Sequence, residues 1–184
     1  MRHLPNLICL LRILLVWPIV SAMQRGQAAL AVCLFGVAAV SDGLDGFLAK
    51  RFHWTSRLGK FLDPLADKIL LVSAFITASW IGLVPVWLAA AAIARDVMIG
   101  VGALTVMVWY GSLKGRPTVV SKLNTVLQLT TLLGSLLAQA IRWPPPELLK
   151  ALAVLTLLTT LASGADYLLR FIIRGWSAPP TSAR

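Results

Sequence analysis

Six long apolar runs fill this chain, each ended by a short break of polar, glycine or proline residues. They extend from Leu4 to Met23, Gln27 to Phe52, Gly59 to Leu83, Val86 to Tyr110, Val120 to Trp143 and Glu147 to Arg174. A helix needs about 20 mostly apolar residues to cross the hydrocarbon core of a bilayer, and each run reaches that length. The pattern predicts an all-α integral membrane protein with six transmembrane helices. Gln24-Arg25-Gly26, His53 to Leu58, Gly82 to Pro85 and Gly111 to Thr118 read as short turns. Trp143-Pro144-Pro145-Pro146 closes the fifth run, because consecutive prolines remove backbone donors and cannot continue a helix. In this reading residues 1–176 form one six-helix transmembrane domain with no stretch left for a soluble domain. Residues 177–184, with Pro179, Pro180, Thr181 and Ser182, are expected to be a disordered polar tail. Arg12 and Pro18 interrupt the first run and no A-x-A-like site follows it, so it is read as a retained helix rather than a signal peptide.

Composition agrees with a lipid solvent: 58% of the 184 residues are hydrophobic and 13% charged, against about half and a quarter in soluble domains. The net charge of +10 does not indicate nucleic acid, because the cations sit at the ends of the runs, where an anionic membrane surface accounts for them. With a cytoplasmic N-terminus, eleven of the seventeen cations fall on the cytoplasmic side and only Arg25, Arg142 and Lys150 on the other. That asymmetry predicts cytoplasmic N- and C-termini. Arg12, Lys68 and Arg95 lie within the runs. Cys9 and Cys33 also lie within runs, where a thiol behaves as a small hydrophobe.

The chemistry is concentrated in the acidic residues. Of only seven, four fall within twenty-six positions: Asp42, Asp45, Asp63 and Asp67. On a helix, residues i and i+3 stand about 60° apart and residues i and i+4 about 40° apart, so each pair shares a face. If the intervening turn makes the two helices antiparallel neighbours, the pairs look at each other near the cytoplasmic surface. Each aspartate placed in a membrane span costs about 2.5 to 3.5 kcal/mol on insertion scales, less near the interface. Carboxylates so close also repel unless cations sit among them. Hard oxygen ligands suit Mg²⁺ or Mn²⁺, and two such ions are the usual arrangement for displacement at phosphorus. A salt-bridge network with Lys50, Arg51, Lys60 and Lys68, or a cation pathway of the kind a transporter uses, would also place carboxylates here. Neither accounts for the small residues Gly43, Gly46, Ala49 and Gly59 interleaved with the acids, which leave room for a large polar ligand.

Written out, the segment is Asp42-Gly-Leu-Asp45-Gly46-Phe-Leu-Ala49-Lys50, eight residues, then Gly59-Lys-Phe-Leu-Asp63-Pro-Leu-Ala-Asp67. It resembles the signature of the CDP-alcohol phosphatidyltransferase family, D-x-x-D-G-x-x-A-R-x8-G-x3-D-x3-D. The motif covers about a seventh of the chain, and Pro5-Asn6 and Arg12 on the first helix fit the family too. The one departure is Lys50 where the family has arginine, and a lysine lacks the bidentate fork.

The resemblance implies transfer of a phosphatidyl group from CDP-diacylglycerol to an alcohol with release of CMP. It implies two divalent ions, Mg²⁺ or Mn²⁺, on Asp42, Asp45, Asp63 and Asp67, with Asp67 also the general base. Gly46, Ala49, Lys50 and Ser56 would line the CDP-diacylglycerol pocket. Neighbouring residues on a helix point about 100° apart, so Arg95 is not expected to pair with Asp96 and is assigned to the polar cavity as an acceptor ligand, with Lys114, Arg116 and Lys122. Arg95-Asp96-Val-Met and Arg116-Pro-Thr-Val-Val-Ser-Lys-Leu-Asn-Thr resemble segments of the cardiolipin synthases, which use phosphatidylglycerol. Phe61-Leu-Asp-Pro-Leu-Ala-Asp-Lys68 equally resembles the phosphatidylglycerophosphate synthases, which use glycerol 3-phosphate. Another alcohol acceptor stays open. A homodimer among membrane lipids, in a bacterial inner membrane with the site facing the cytoplasm, completes what the resemblance implies. A prenyltransferase of the UbiA type would need two separated acidic motifs and about nine helices, more than this chain holds.

Overall fold

The computed structural model describes residues 4–52, 59–110 and 118–177, and within them the side chains of 10–41, 66–102, 105 and 118–169. Among these residues the fold is all helical. The helices are α1 (Leu4–Gln24), α2 (Ala28–Phe52), α3 (Gly59–Trp80), α4 (Val86–Tyr110), α5 (Val119–Ile141) and α6 (Pro146–Ser177).

Turn chemistry sets where they stop. Gly26 takes φ +69°, and the Gln27 amide donates to the Ala22 carbonyl at 2.9 Å, closing α1. Gly82, at φ +77°, ends α3 in the same way, with the Leu83 amide donating to the Ala78 carbonyl at 2.8 Å. The third helix therefore ends at Trp80, three residues before its apolar run does, and Val84 folds back into the core. Thr118 caps α5 by accepting from the Ser121 amide at 3.2 Å. Pro146 opens α6, a position where its missing N–H costs nothing, and Glu147 follows in the positive first turn. That helix continues through Trp176 and Ser177, where the polar tail is expected to begin. The tail's residues 178–184 lie outside the described residues, as do the turns at 53–58 and 111–117.

The helices close into a ring in the spatial order α1, α2, α5, α6, α4, α3, with α3 also touching α5 across it. Small residues allow the approach: Ala31 and Ala38 on α2, and Ala74 and Ala78 on α3, are all buried. Ile19, Met23, Phe35, Phe75, Leu88, Leu132 and Leu136 fill the space between them. The distribution of polarity nevertheless departs from that of a soluble bundle. Arg12, Arg95, Asn124, Gln128, Thr131, Thr156 and Ser163 are buried, whereas Leu14, Trp17, Val40, Val86, Val119 and Leu158 face outward. An apolar exterior with polar groups turned inward suits lipid. Within the described residues, Pro146–Leu169 is the helical stretch long and apolar enough to cross a membrane unaided, and Leu10–Gln24 and Ala28–Ser41 are shorter apolar stretches.

Candidate active site

All four motif aspartates lie on helical backbone, Asp42 and Asp45 toward the end of α2, Asp63 and Asp67 in the first half of α3. The i,i+3 and i,i+4 spacings therefore do place each pair on one helix face. The side chains of Asp42, Asp45 and Asp63 lie outside the described residues, as do Gly46, Ala49, Lys50, Ser56, Lys114 and Arg116. Asp67 is described. Its side chain is 49% exposed, so a ligand can reach it, and its Oδ1 accepts a hydrogen bond from Nη1 of Arg12 on α1. Arg12 is itself 1% exposed.

That contact brings a third helix beside the two that carry the aspartates. Among the described residues, α2 and α3 each pack on α1, so the first helix supplies the wall beside the aspartate carriers. Hydrophobic spacing assigns a face to each helix but does not say which helix will cover it. The signal for Arg12 was nonetheless present, as a cation within an apolar run.

Lys68, next in sequence to Asp67, turns the other way. Its Nζ donates to Oδ2 of Asp96 on α4 at 2.6 Å. The second Asp96 oxygen, Oδ1, accepts from Arg95 Nη1 at 2.7 Å. Arg95 and Asp96 thus pair despite adjacent positions on one helix. Their Cβ directions diverge, but an arginine stem is long enough to bring its head group back to a neighbouring carboxylate. The rest of the Arg95 guanidinium is engaged as well. Nη2 donates to Ser121 of α5 and, at 2.6 Å, to Ser163 of α6, and Nε reaches the same Ser163 hydroxyl at 3.2 Å. One buried cation therefore joins three helices. Lys122 stands exposed beside Ser121, at the start of α5.

From this node a polar seam descends between α5 and α6. Asn124 Oδ1 accepts from the hydroxyls of Thr159 at 3.0 Å and Thr160 at 2.8 Å. A turn and more below, the Thr131 and Thr156 hydroxyls meet at 2.8 Å. Gln128 lies between these pairs, fully buried, and borders a small cavity with Asp96 and Phe75. Ser121, Lys122 and Asn124 stand close together in the sequence as polar residues, whereas the α6 threonines facing them give no such signal. Threonine reads as neutral in an apolar helix because it can return its hydroxyl to its own backbone.

A helical bundle with charge and hydroxyls inside, apolar residues outside and a reachable carboxylate at one end is the architecture of an integral membrane protein with a polar site. The family follows from comparison: the model of the CDP-alcohol phosphatidyltransferase family matches residues 2–162, and the chain belongs to that family of transferases. It is 32% identical over 180 residues to the rat (Rattus norvegicus) cardiolipin synthase (CMP-forming), covering 89% of this chain and 60% of that protein. The human (Homo sapiens) cardiolipin synthase is 31% identical over the same extent. The CDP-diacylglycerol--glycerol-3-phosphate 3-phosphatidyltransferase of Escherichia coli K12 is 34% identical over 142 residues, 71% of this chain and 74% of that protein. The chain thus spans about three-fifths of the length of the cardiolipin synthases it matches.

Proposed function

We propose that this protein transfers a phosphatidyl group from CDP-diacylglycerol to a glycerol-type acceptor and releases CMP, in the synthesis of anionic phospholipids. The observation that carries the reading is Asp67, the last acid of the family motif, half-exposed on α3 and held by a buried arginine. In this reading Asp67 takes the proton of the acceptor hydroxyl. The acceptor oxygen then bonds to the phosphorus bearing diacylglycerol, the pyrophosphate P–O bond breaks, and CMP leaves with the electron pair.

Asp42, Asp45, Asp63 and Asp67 would hold two divalent ions, Mg²⁺ or Mn²⁺. Their donor set fits, being hard carboxylate oxygens paired along two helix faces, with the one described carboxylate accessible. When bound, the ions supply neutralisation of the pyrophosphate charge. Gly46 and Ala49 leave space for the nucleotide, and Lys50 and Ser56 offer it a charge and a hydroxyl. Lys122, Lys114 and Arg116 receive the acceptor phosphate, with Arg95 as the buried node behind Ser121.

For the acceptor we favour phosphatidylglycerol, because the match to the cardiolipin synthases extends over 89% of this chain. Glycerol 3-phosphate is the second reading, supported by the Escherichia coli enzyme, of which the match covers 74%. The six helices each span the membrane in this proposal, in a bacterial inner membrane, with both termini and the aspartates on the cytoplasmic side and two chains forming a homodimer. Exposed Trp80, Trp87 and Trp143 stand at the α3–α4 and α5–α6 turns, where an aromatic belt would lie at the far interface. CDP-diacylglycerol offered to the purified protein with each acceptor separately tests the proposal. Metal-dependent CMP release with phosphatidylglycerol is expected, release with glycerol 3-phosphate alone selects the second reading, and release with neither refutes both.

A further inference from the structure

Arg12 is the largest fully buried side chain among the described residues, and it sits in a helix of otherwise apolar character. Burying a guanidinium costs several kcal/mol unless it is well paired, and replacing a buried ion pair with apolar residues is often neutral or stabilising. Fold stability alone is therefore a poor reason for an arginine here. The pair is also lopsided, with the cation at 1% exposure and the carboxylate at 49%. Solvent could satisfy Asp67 without help. What the arginine adds is direction: it fixes one carboxylate oxygen against α1.

The next residue reinforces this. Lys68 carries the cation closest in sequence to Asp67, and its flexible stem could fold back onto that carboxylate. Asp96 draws it to α4 at 2.6 Å, and Arg95 holds Asp96 in turn. The turn of α3 that bears Asp67 is thus tied to α1 by one ion pair and to α4 by another. Each pair takes a different side of the helix.

We infer that Arg12 is a positioning residue, which sets the orientation of the Asp67 carboxylate for proton transfer from the acceptor hydroxyl. The inference rests on the proposed role of Asp67 as base. A misplacement of about 1 Å at a reacting group can cost on the order of 10²-fold in rate. Arg12→Gln should therefore lower kcat by about 10- to 100-fold. KM for CDP-diacylglycerol, equilibrium binding of CDP-diacylglycerol and the melting temperature in detergent should stay near wild type. Arg12→Lys restores the cation but not the planar fork, so it should recover part of the rate.

A wild-type kcat in folded Arg12→Gln overturns the inference, and so does a raised KM for CDP-diacylglycerol with kcat unchanged, since that marks a substrate ligand. If Arg12→Gln does not fold, Arg12→Lys decides: a lowered kcat at the wild-type melting temperature supports the role, and a wild-type kcat overturns it. Asp67→Asn, measured in parallel, separates the two layers. Normal turnover in Asp67→Asn removes the base reading itself. An inactive Asp67→Asn beside a fully active Arg12→Gln removes only the role of Arg12.

Discussion

Asp67 and Lys68 differ by one position and by about 100° around α3, and that rotation gives them opposite neighbours. Asp67 meets α1 through Arg12, and Lys68 meets α4 through Asp96. The charge on each is thereby kept apart from the other, so a carboxylate can stay accessible beside a lysine without collapsing onto it. If Asp67 is the base, Asp67→Asn should reduce kcat by about 10²- to 10⁴-fold, the usual contribution of general base catalysis. CDP-diacylglycerol binding should persist in part, because the amide oxygen remains a ligand. Steady-state CMP release together with equilibrium binding measures both, and normal turnover would exclude the role. Lys122 is exposed at the mouth of the polar seam, not engaged inside it as Arg95 is. A charge-assisted hydrogen bond contributes about 1.5 to 3 kcal/mol, so Lys122→Ala should raise the acceptor KM by about tenfold or more. The KM for CDP-diacylglycerol should hardly move, and an unchanged acceptor KM would remove Lys122 from that site.

Helix pairs in this bundle are held by close approach and by hydroxyl contacts, since lipid gives little hydrophobic drive between spans. Gly102 on α4 shows how close that approach is. A Cβ placed there would lie 2.1 Å from the hydroxyl oxygen of Tyr167 on α6 and 2.8 Å from its ring carbons. The ring is rigid, so either Tyr167 must rotate out or the two helices must part. Gly102→Ala should then destabilise the protein by about 1 to 3 kcal/mol, the range for overpacking. Gly100, with nothing within 4 Å of its added Cβ, is the control, and Gly100→Ala should be neutral or stabilising through helix propensity. Thermal melts of both variants in one detergent make the comparison, and equal melting temperatures would contradict it. Helix positions were legible in the sequence because glycine and proline punctuate the apolar runs, and all six helices begin within one residue of the expected start, with α4 matching at both ends. The motif acids were legible for the same kind of reason, as charges where lipid disfavours them. The ring order was not, because an all-apolar helix shows little preference among its faces. Consequently neither the insertion of α1 beside α3 nor the Arg95–Asp96 pair could be read from spacing.

Connectivity gives the whole molecule two unlike ends. The α1–α2 turn and the end of α5 lie together, since Gly26 and Gln27 border one shallow groove with Gln139 and Ala140. At that end stand Arg25, Arg142 and the exposed Trp143, whereas the motif aspartates belong to the end where α2 gives way to α3. The excess of cations around the second end is the feature that orients a membrane protein toward the cytoplasm. The proposed chemistry would require the same orientation, since a nucleotide-linked lipid donor has its head group where nucleotides are made. Cysteine accessibility can test this directly, because Cys9 and Cys33 are the two native thiols and can be removed by alanine. In that background Gln27→Cys, exposed in the α1–α2 turn, should react with a membrane-impermeant maleimide added outside bacterial spheroplasts. Thr181→Cys near the C-terminus should react only after the membrane is opened. Labelling of Thr181→Cys from outside with Gln27→Cys protected would invert the molecule, placing the aspartates on the side away from the nucleotide pool. Labelling of both from outside would mean an even number of crossings between them, whereas six spanning helices with both termini inside put five there, α2 to α6.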